Sequence, residues 1–148
     1  MSTIADRQRA VVERFAKIAD WEDRYREIMA MGKSLAPLDE QFKCDKYQVR
    51  GCQSQVWLHA ALEGDKVVFR ADGDAAIVRG LIALLLEVFS GATPDEIVAA
   101  SPTFIDQIGL SQHLSQSRAN GIAATVKQIK LYALALQAMA SGRKLPTV

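Results

Sequence analysis

Cys52-Gln53-Ser54-Gln55-Val56-Trp57-Leu58-His59-Ala60-Ala61-Leu62-Glu63-Gly64-Asp65-Lys66-Val67-Val68-Phe69-Arg70-Ala71 is the stretch that decides the fold. From Cys52 to Leu62 the side chains alternate in character, the two-residue period of a strand. Ser54, Val56, Leu58, Ala60 and Leu62 fall on one face, and Gln53, Gln55, Trp57, His59 and Ala61 on the other. Glu63-Gly64-Asp65 has turn chemistry, and Lys66–Ala71 returns as the partner strand of a hairpin. Extrapolating the alternation back to its start puts Cys52 on the apolar side with Val56 and Leu58.

Working outward, Asp72-Gly73-Asp74 ends the hairpin, and Asp74 reads as the N-cap of a helix over 75–90. That helix carries Ile77, Leu81, Ile82, Leu84, Leu85, Val88 and Phe89 around most of its circumference, the pattern of a buried central helix stopped by Gly91. Thr93-Pro94-Asp95-Glu96 is a capping box with proline at the first helical position. Ser101-Pro102 opens a short turn ending near Gly109. A long amphipathic helix then runs from about 116 to 141, closed by Gly142 and followed by a frayed tail over about 143–148. Upstream, residues 4–18 place Val11, Val12, Phe15 and Ile18 on one stripe. Asp20 caps a second helix bearing Trp21, Tyr25, Ile28 and Met29, which Gly32 terminates. Residues 33–50, with Pro37 and Cys44, read as a long loop with a brief third strand near Tyr47–Arg50. The order predicts an α+β domain, one unit over 1–148, with a small antiparallel sheet packed against several helices.

The 148 residues are 24% charged with a net charge of +1, and no run of like charge is long enough for a nucleic-acid or membrane tail. The amino terminus lacks the basic-then-apolar order of a secretory signal. The most apolar window, Ile77 to Phe89, is interrupted by Arg79 and Glu87 and is too short to cross a bilayer. Two cysteines in a chain able to build its own core do not suggest a disulfide scaffold. A cytoplasmic location with reduced thiols is the expectation.

Gly51-Cys52 sets a nucleophilic sulfur directly after a residue whose backbone is free to turn sharply and be approached closely. A thiol so presented suits a carrier of sulfur or an acyl group; a small buried apolar residue is the other reading. Lys43, Lys46 and Arg50 lie upstream and would lower its pKa if they reached it, whereas burial would raise it. A nucleophilic triad needs a histidine, and only His59, on the opposite strand face, and His113, in a loop, are available. Cys44 and Cys52 are eight residues apart, unlike the close pairs of structural zinc sites, and no phosphate-cradling glycine motif is present.

Four segments in order resemble the SufE family of sulfur acceptors. They are Trp21-Glu22-Asp23-Arg24-Tyr25, Gly51-Cys52-Gln53-Ser54-Gln55-Val56-Trp57, Ala71-Asp72-Gly73-Asp74-Ala75-Ala76-Ile77-Val78-Arg79-Gly80-Leu81 and Leu114-Ser115-Gln116-Ser117-Arg118-Ala119-Asn120-Gly121. The resemblance spans about residues 10–138. It implies a fold similar to the IscU-type scaffold and a role in iron–sulfur cluster assembly. Cys52 would accept sulfur as a persulfide from a SufS-type cysteine desulfurase, stimulate its turnover, and pass the sulfur to an Fe–S scaffold complex. The pyridoxal phosphate (PLP) would belong to the desulfurase, with no cofactor or metal on this chain, no reaction catalysed alone, and a monomer or weak homodimer as the carrier. Gly51, Gln53 and Ser54 would present the thiol. Asp72 and Asp74 would hold the neighbouring turn or meet the partner, and Arg118 would pack near the loop, contact the partner, or be an ordinary first-turn surface arginine. Gly73, where the family commonly has serine, is a departure expected to loosen the turn. Cys44 lies outside the motif, either as an occasional disulfide partner of Cys52 or as an incidental thiol. A metal- or cluster-binding scaffold using Cys52 with Asp and His ligands is the alternative, and a pure interaction module a third.

Overall fold

The computed structural model describes residues 2–140, so the expected stop at Gly142 and the tail over 143–148 lie outside the described residues. Helix α1 (Ile4–Ala16) starts on a reciprocal cap: Thr3 Oγ1 accepts from the Asp6 N–H, and the Asp6 carboxylate accepts from the Thr3 N–H. Asp20 caps α2 (Trp21–Lys33) by accepting from the Glu22 N–H at 3.2 Å. Gly32 does not end this helix, which continues to Lys33 with Ser34 as its C-cap. The glycine serves a close crossing instead. A Cβ at Gly32 would lie 2.7 Å from the Gly80 nitrogen, and one at Gly80 would lie 2.2 Å from the Ile28 carbonyl oxygen.

Strands β1 (Val56–Glu63) and β2 (Lys66–Gly73) pair antiparallel, from Val56 opposite Gly73 to Glu63 opposite Lys66. Gly64, at φ +66°, supplies the left-handed turn residue. β1 begins four residues later than the alternation predicts. The cause is Asp74, whose N–H donates to the Gln55 carbonyl at 3.2 Å while its carboxylate accepts from the Gln55 N–H at 3.2 Å. That pair takes both backbone groups of Gln55 and leaves Gly51–Gln55 as a loop. It also removes Asp74 from the expected capping role: Ala75 is the N-cap of α3 (Ala76–Phe89), with no side-chain cap bond.

The third strand near Tyr47–Arg50 shrinks to a single bridge of Gln48 with Trp57, where the Val49 N–H donates to the Val56 carbonyl at 2.8 Å. A second bridge, which sequence reasoning missed, joins Val67 to Ala92 on the outer edge of β2. There the Val67 N–H donates to the Ala92 carbonyl at 2.8 Å, and the Phe69 N–H donates to Ser90 Oγ at 2.9 Å. Val56, Leu58, Val67, Phe69 and Ala71 are buried on the inner face of the hairpin. The outer face is covered by the long loop, which holds two single 3₁₀ turns, Glu40–Phe42 and Asp45–Tyr47. Phe42 stacks on His59 at 4.0 Å and Tyr47 meets the same ring edge-on at 5.4 Å.

α3 is the buried centre, with Leu84, Leu85, Val88 and Phe89 at 2% exposure or less. α4 (Pro94–Ala99) has only half the expected capping box. Thr93 Oγ1 accepts from the Glu96 N–H, but the Glu96 carboxylate turns away to accept from the Ile4 N–H at 3.4 Å. Where one short turn was expected stand two four-residue helices, α5 (Phe104–Gln107) and α6 (Leu110–His113), divided by Gly109 at φ +82°. His113 therefore ends a helical turn rather than lying in a loop, and it stacks on Trp21 at 3.8 Å.

The long α7 (Gln116–Ala140) packs on α4, α3 and the hairpin, and Tyr132 Oη donates to the Leu58 carbonyl at 3.0 Å. Two helix C-termini are capped from other helices. Arg7 donates to the Val88 and Ser90 carbonyls, and Lys130 Nζ donates to those of Ile97, Val98 and Ala100. Among the described residues no helix is long and apolar enough to cross a membrane.

Candidate functional site

Gly51 has φ +91°, a conformation that L side chains rarely adopt, and a Cβ there would stand 3.3 Å from the Ala124 side chain of α7. The glycine thus lets the loop turn while lying flat against the helix. The next residue, Cys52, points into the seam between that loop and α7. Its sulfur is half-buried, 3.5 Å from the Gly121 carbonyl and 4.0 Å from Thr125 Oγ1. The extrapolated face was correct in sense, since Cys52 shares a cavity with the buried Val56 even though the strand itself starts later. That cavity, about 40 Å³, is walled by Leu81, Ile82 and Leu85 of α3, with Arg118 and Thr125 from α7.

The loop is held at two points. Ser117 Oγ donates to Gln53 Oε1 at 2.8 Å, and Asp74 clamps Gln55. Ser54 lines the cavity beside Cys52. Asp72 belongs to the hairpin end rather than to the sulfur. It pairs with Lys43 Nζ at 3.2 Å and lies 3.1 Å from Arg79 Nε, an ionic contact without the alignment of a hydrogen bond. Gly73 sits where the hairpin end meets α3. A Cβ there would lie 2.8 Å from Val78 Cγ1, so the missing side chain lets α3 close over the end of β2. Arg118 lies on the rim, exposed but lining the same cavity as Cys52, which is closer to the candidate thiol than its position as an ordinary first-turn arginine required.

Burial pushes the Cys52 thiol above its ordinary range, and the hydrogen bond with Thr125 partly opposes this. The upstream lysines are engaged elsewhere: Lys43 with Glu40 and Asp72, Lys46 over the Tyr47 ring at 5.3 Å. Neither histidine bonds the sulfur. His59 is fixed by Phe42 and Tyr47 on the outer sheet face, its pKa lowered by burial and then by Arg70, and His113 is stacked on Trp21. Among the described residues these rings form no nucleophile–base pair with Cys52. The described residues contain no group of three or more His, Cys, Asp or Glu side chains placed to hold a metal ion. The exposed Cys44 provides an internal reference for reactivity. Iodoacetamide at neutral pH should label Cys44 first and Cys52 about tenfold more slowly, with Cys52 catching up as pH rises through its elevated pKa. Peptide mass mapping over time reads both sites, and equal rates would contradict the described burial.

Sequence reasoning found Cys52, its loop and the long helix with Arg118 near the loop, but missed the stripe of that helix against which the sulfur rests. Ser117, Gly121 and Thr125 are spaced four apart and so form one stripe of α7. That run of small residues was the available signal.

In this α+β fold a hairpin and a long helix seat one half-buried thiol beside a small cavity. The chain belongs to the SufE family: the sequence model described as "Fe-S metabolism associated domain" matches residues 9–133. It is 42% identical over 127 residues to an uncharacterized SufE-like protein of Synechocystis sp., covering 86% of this chain and 80% of that one. It is 40% identical over 125 residues to another from Rhizobium meliloti, covering 81% and 89%. The solution structure of a hypothetical protein from Thermus thermophilus superposes with a TM-score of 0.74 over 90% of this chain and 96% of that one. At 21% identity that likeness bears on the fold alone.

Proposed function

We propose that this protein is a sulfur acceptor of Fe–S metabolism, charged on Cys52 by a PLP-dependent cysteine desulfurase of the SufS type. The observation that carries the reading is the cavity of about 40 Å³ against the Cys52 sulfur. By the same measure a cavity needs roughly 10–15 Å³ to hold one water molecule, so this one has room for an added sulfur atom. A persulfide formed on Cys52 would therefore be sheltered by Leu81, Ile82 and Leu85 from bulk thiols and oxidants.

In the transfer, the Cys52 thiolate attacks the outer sulfur of the donor's persulfide. A new S–S bond forms on Cys52, the donor's S–S bond breaks, and the donor cysteine leaves as a thiolate, with no net change in oxidation state. The half-buried sulfur needs the Gly51–Gln55 loop to lift from α7, which means parting the Ser117–Gln53 bond. The sulfur then passes to an Fe–S scaffold complex by a second exchange of the same kind. PLP stays on the donor, and the chain acts in the cytoplasm as the donor's activator.

Incubation with an active cysteine desulfurase and cysteine, followed by intact mass measurement, tests this. The expected result is a mass gain in steps of one sulfur atom, absent from Cys52→Ser and retained in Cys44→Ser. An unmodified wild-type chain would refute the proposal.

A further inference from the structure

We propose that Thr125 is the residue that holds Cys52 in its ionised form, by turning its hydroxyl proton from the Gly121 carbonyl to the sulfur. The proposal rests on the acceptor reading of this pocket, and it assigns the pocket a proton-dependent rotor. Three atoms form a triangle here. Thr125 Oγ1 donates to the Gly121 carbonyl at 2.8 Å, the Cys52 sulfur lies 3.5 Å from the same carbonyl, and Oγ1 lies 4.0 Å from the sulfur. Among the described residues Thr125 is the one buried polar side chain, 3% exposed, and it lines the cavity with Cys52.

With Cys52 neutral, the triangle is satisfied. The S–H has the carbonyl or Oγ1 as acceptor, and the hydroxyl donates to the carbonyl. Removing the thiol proton turns the sulfur into an anion facing a carbonyl oxygen, an unfavourable contact in a half-buried seam. Rotation about Cβ–Oγ1 relieves it by aiming the hydroxyl proton at the sulfur, since hydroxyl rotors turn to suit their partners. The Gly121 carbonyl is not stranded, because the helical ladder still supplies the Thr125 N–H four residues on.

The other groups around the sulfur do not titrate. α3 contributes Leu81, Ile82 and Leu85, β1 contributes Val56, and the loop contributes Gln53 and Ser54. Arg118 is the one charged side chain lining the cavity, and it is common to every variant compared below. Burial works against the nucleophilic form of Cys52, so a donor inside the seam has a defined task there.

The test measures the rate of iodoacetamide alkylation against pH in a Cys44→Ser background, where Cys52 is the only thiol. Thr125→Val, nearly isosteric but without a donor, should move the midpoint upward by about half a pH unit or more, a loss of about threefold in rate below it. Thr125→Ala, which removes the same hydroxyl with less bulk, should shift in the same direction, and Thr125→Ser should match the parent. A Thr125→Val profile superimposed on the parent, or a Thr125→Ser profile displaced as far as Thr125→Val, overturns the assignment. Sulfur uptake measured alongside separates the two claims. A parent that gains sulfur with no effect of Thr125→Val on the profile refutes the rotor alone; a shifted profile in a parent that gains none supports the rotor and refutes the acceptor.

Discussion

Replacing Cys52 with serine is expected to return a partner cysteine desulfurase to its unassisted turnover, a complete loss of stimulation. Serine has nearly the size of cysteine and can still donate to the Gly121 carbonyl, so the loop, the Ser117–Gln53 bond and the Asp74–Gln55 clamp should persist. What disappears is a polarisable nucleophile able to form and break an S–S bond at neutral pH. Binding to the desulfurase should therefore survive while alanine and sulfide release fall to the level without acceptor. The measurement is a titration of desulfurase rate with wild-type and Cys52→Ser protein, with binding followed separately. Stimulation that persists undiminished would show that the thiol does not carry sulfur, and that the chain activates its partner by contact alone.

The second large effect lies in the fold. Gly80→Val should cost about 3 kcal/mol or more, because overpacking a close contact forces backbone movement. The Cβ would stand 2.2 Å from the Ile28 carbonyl oxygen and 2.7 Å from Ile28 Cγ2, neither of which can yield without separating α2 from α3. For a chain of this size the melting temperature should drop by roughly 10 °C. Gly64→Asn is the matched control. Nothing lies within 4 Å of its Cβ position, and asparagine tolerates the left-handed backbone there, so little change is expected. A Gly80→Val melt equal to wild type would mean that the two helices are not as close as described.

The hairpin was legible because Val56, Leu58, Val67 and Phe69 obey a two-residue period that a buried face enforces. Its start was not. Side-chain alternation runs unbroken through Ser54 and Gln55, while the event that ends pairing is a hydrogen bond from Gln55 to Asp74, nineteen residues along the chain. The same bond made a misleading N-cap of Asp74, since a carboxylate before a helix has two uses that look alike in one dimension. Gly32 misled for a similar reason: a glycine near a helix end resembles a stop, and only the position of Gly80 shows it to be a crossing. At the site, Cys52 was legible from its glycine neighbour and its surrounding motif. Thr125 was not, because a threonine seventy-three residues away on an amphipathic helix carries no local mark of facing a sulfur.

Part of each outer edge of the two-stranded sheet is already engaged by non-strand partners. The Val56 and Leu58 carbonyls serve Val49 and Tyr132, and the Val67 and Phe69 N–H groups are taken by Ala92 and Ser90. A second copy of the chain meeting either border at these positions finds those donors and acceptors taken. At those positions a sheet rich in valine and leucine is closed to pairing with a further strand.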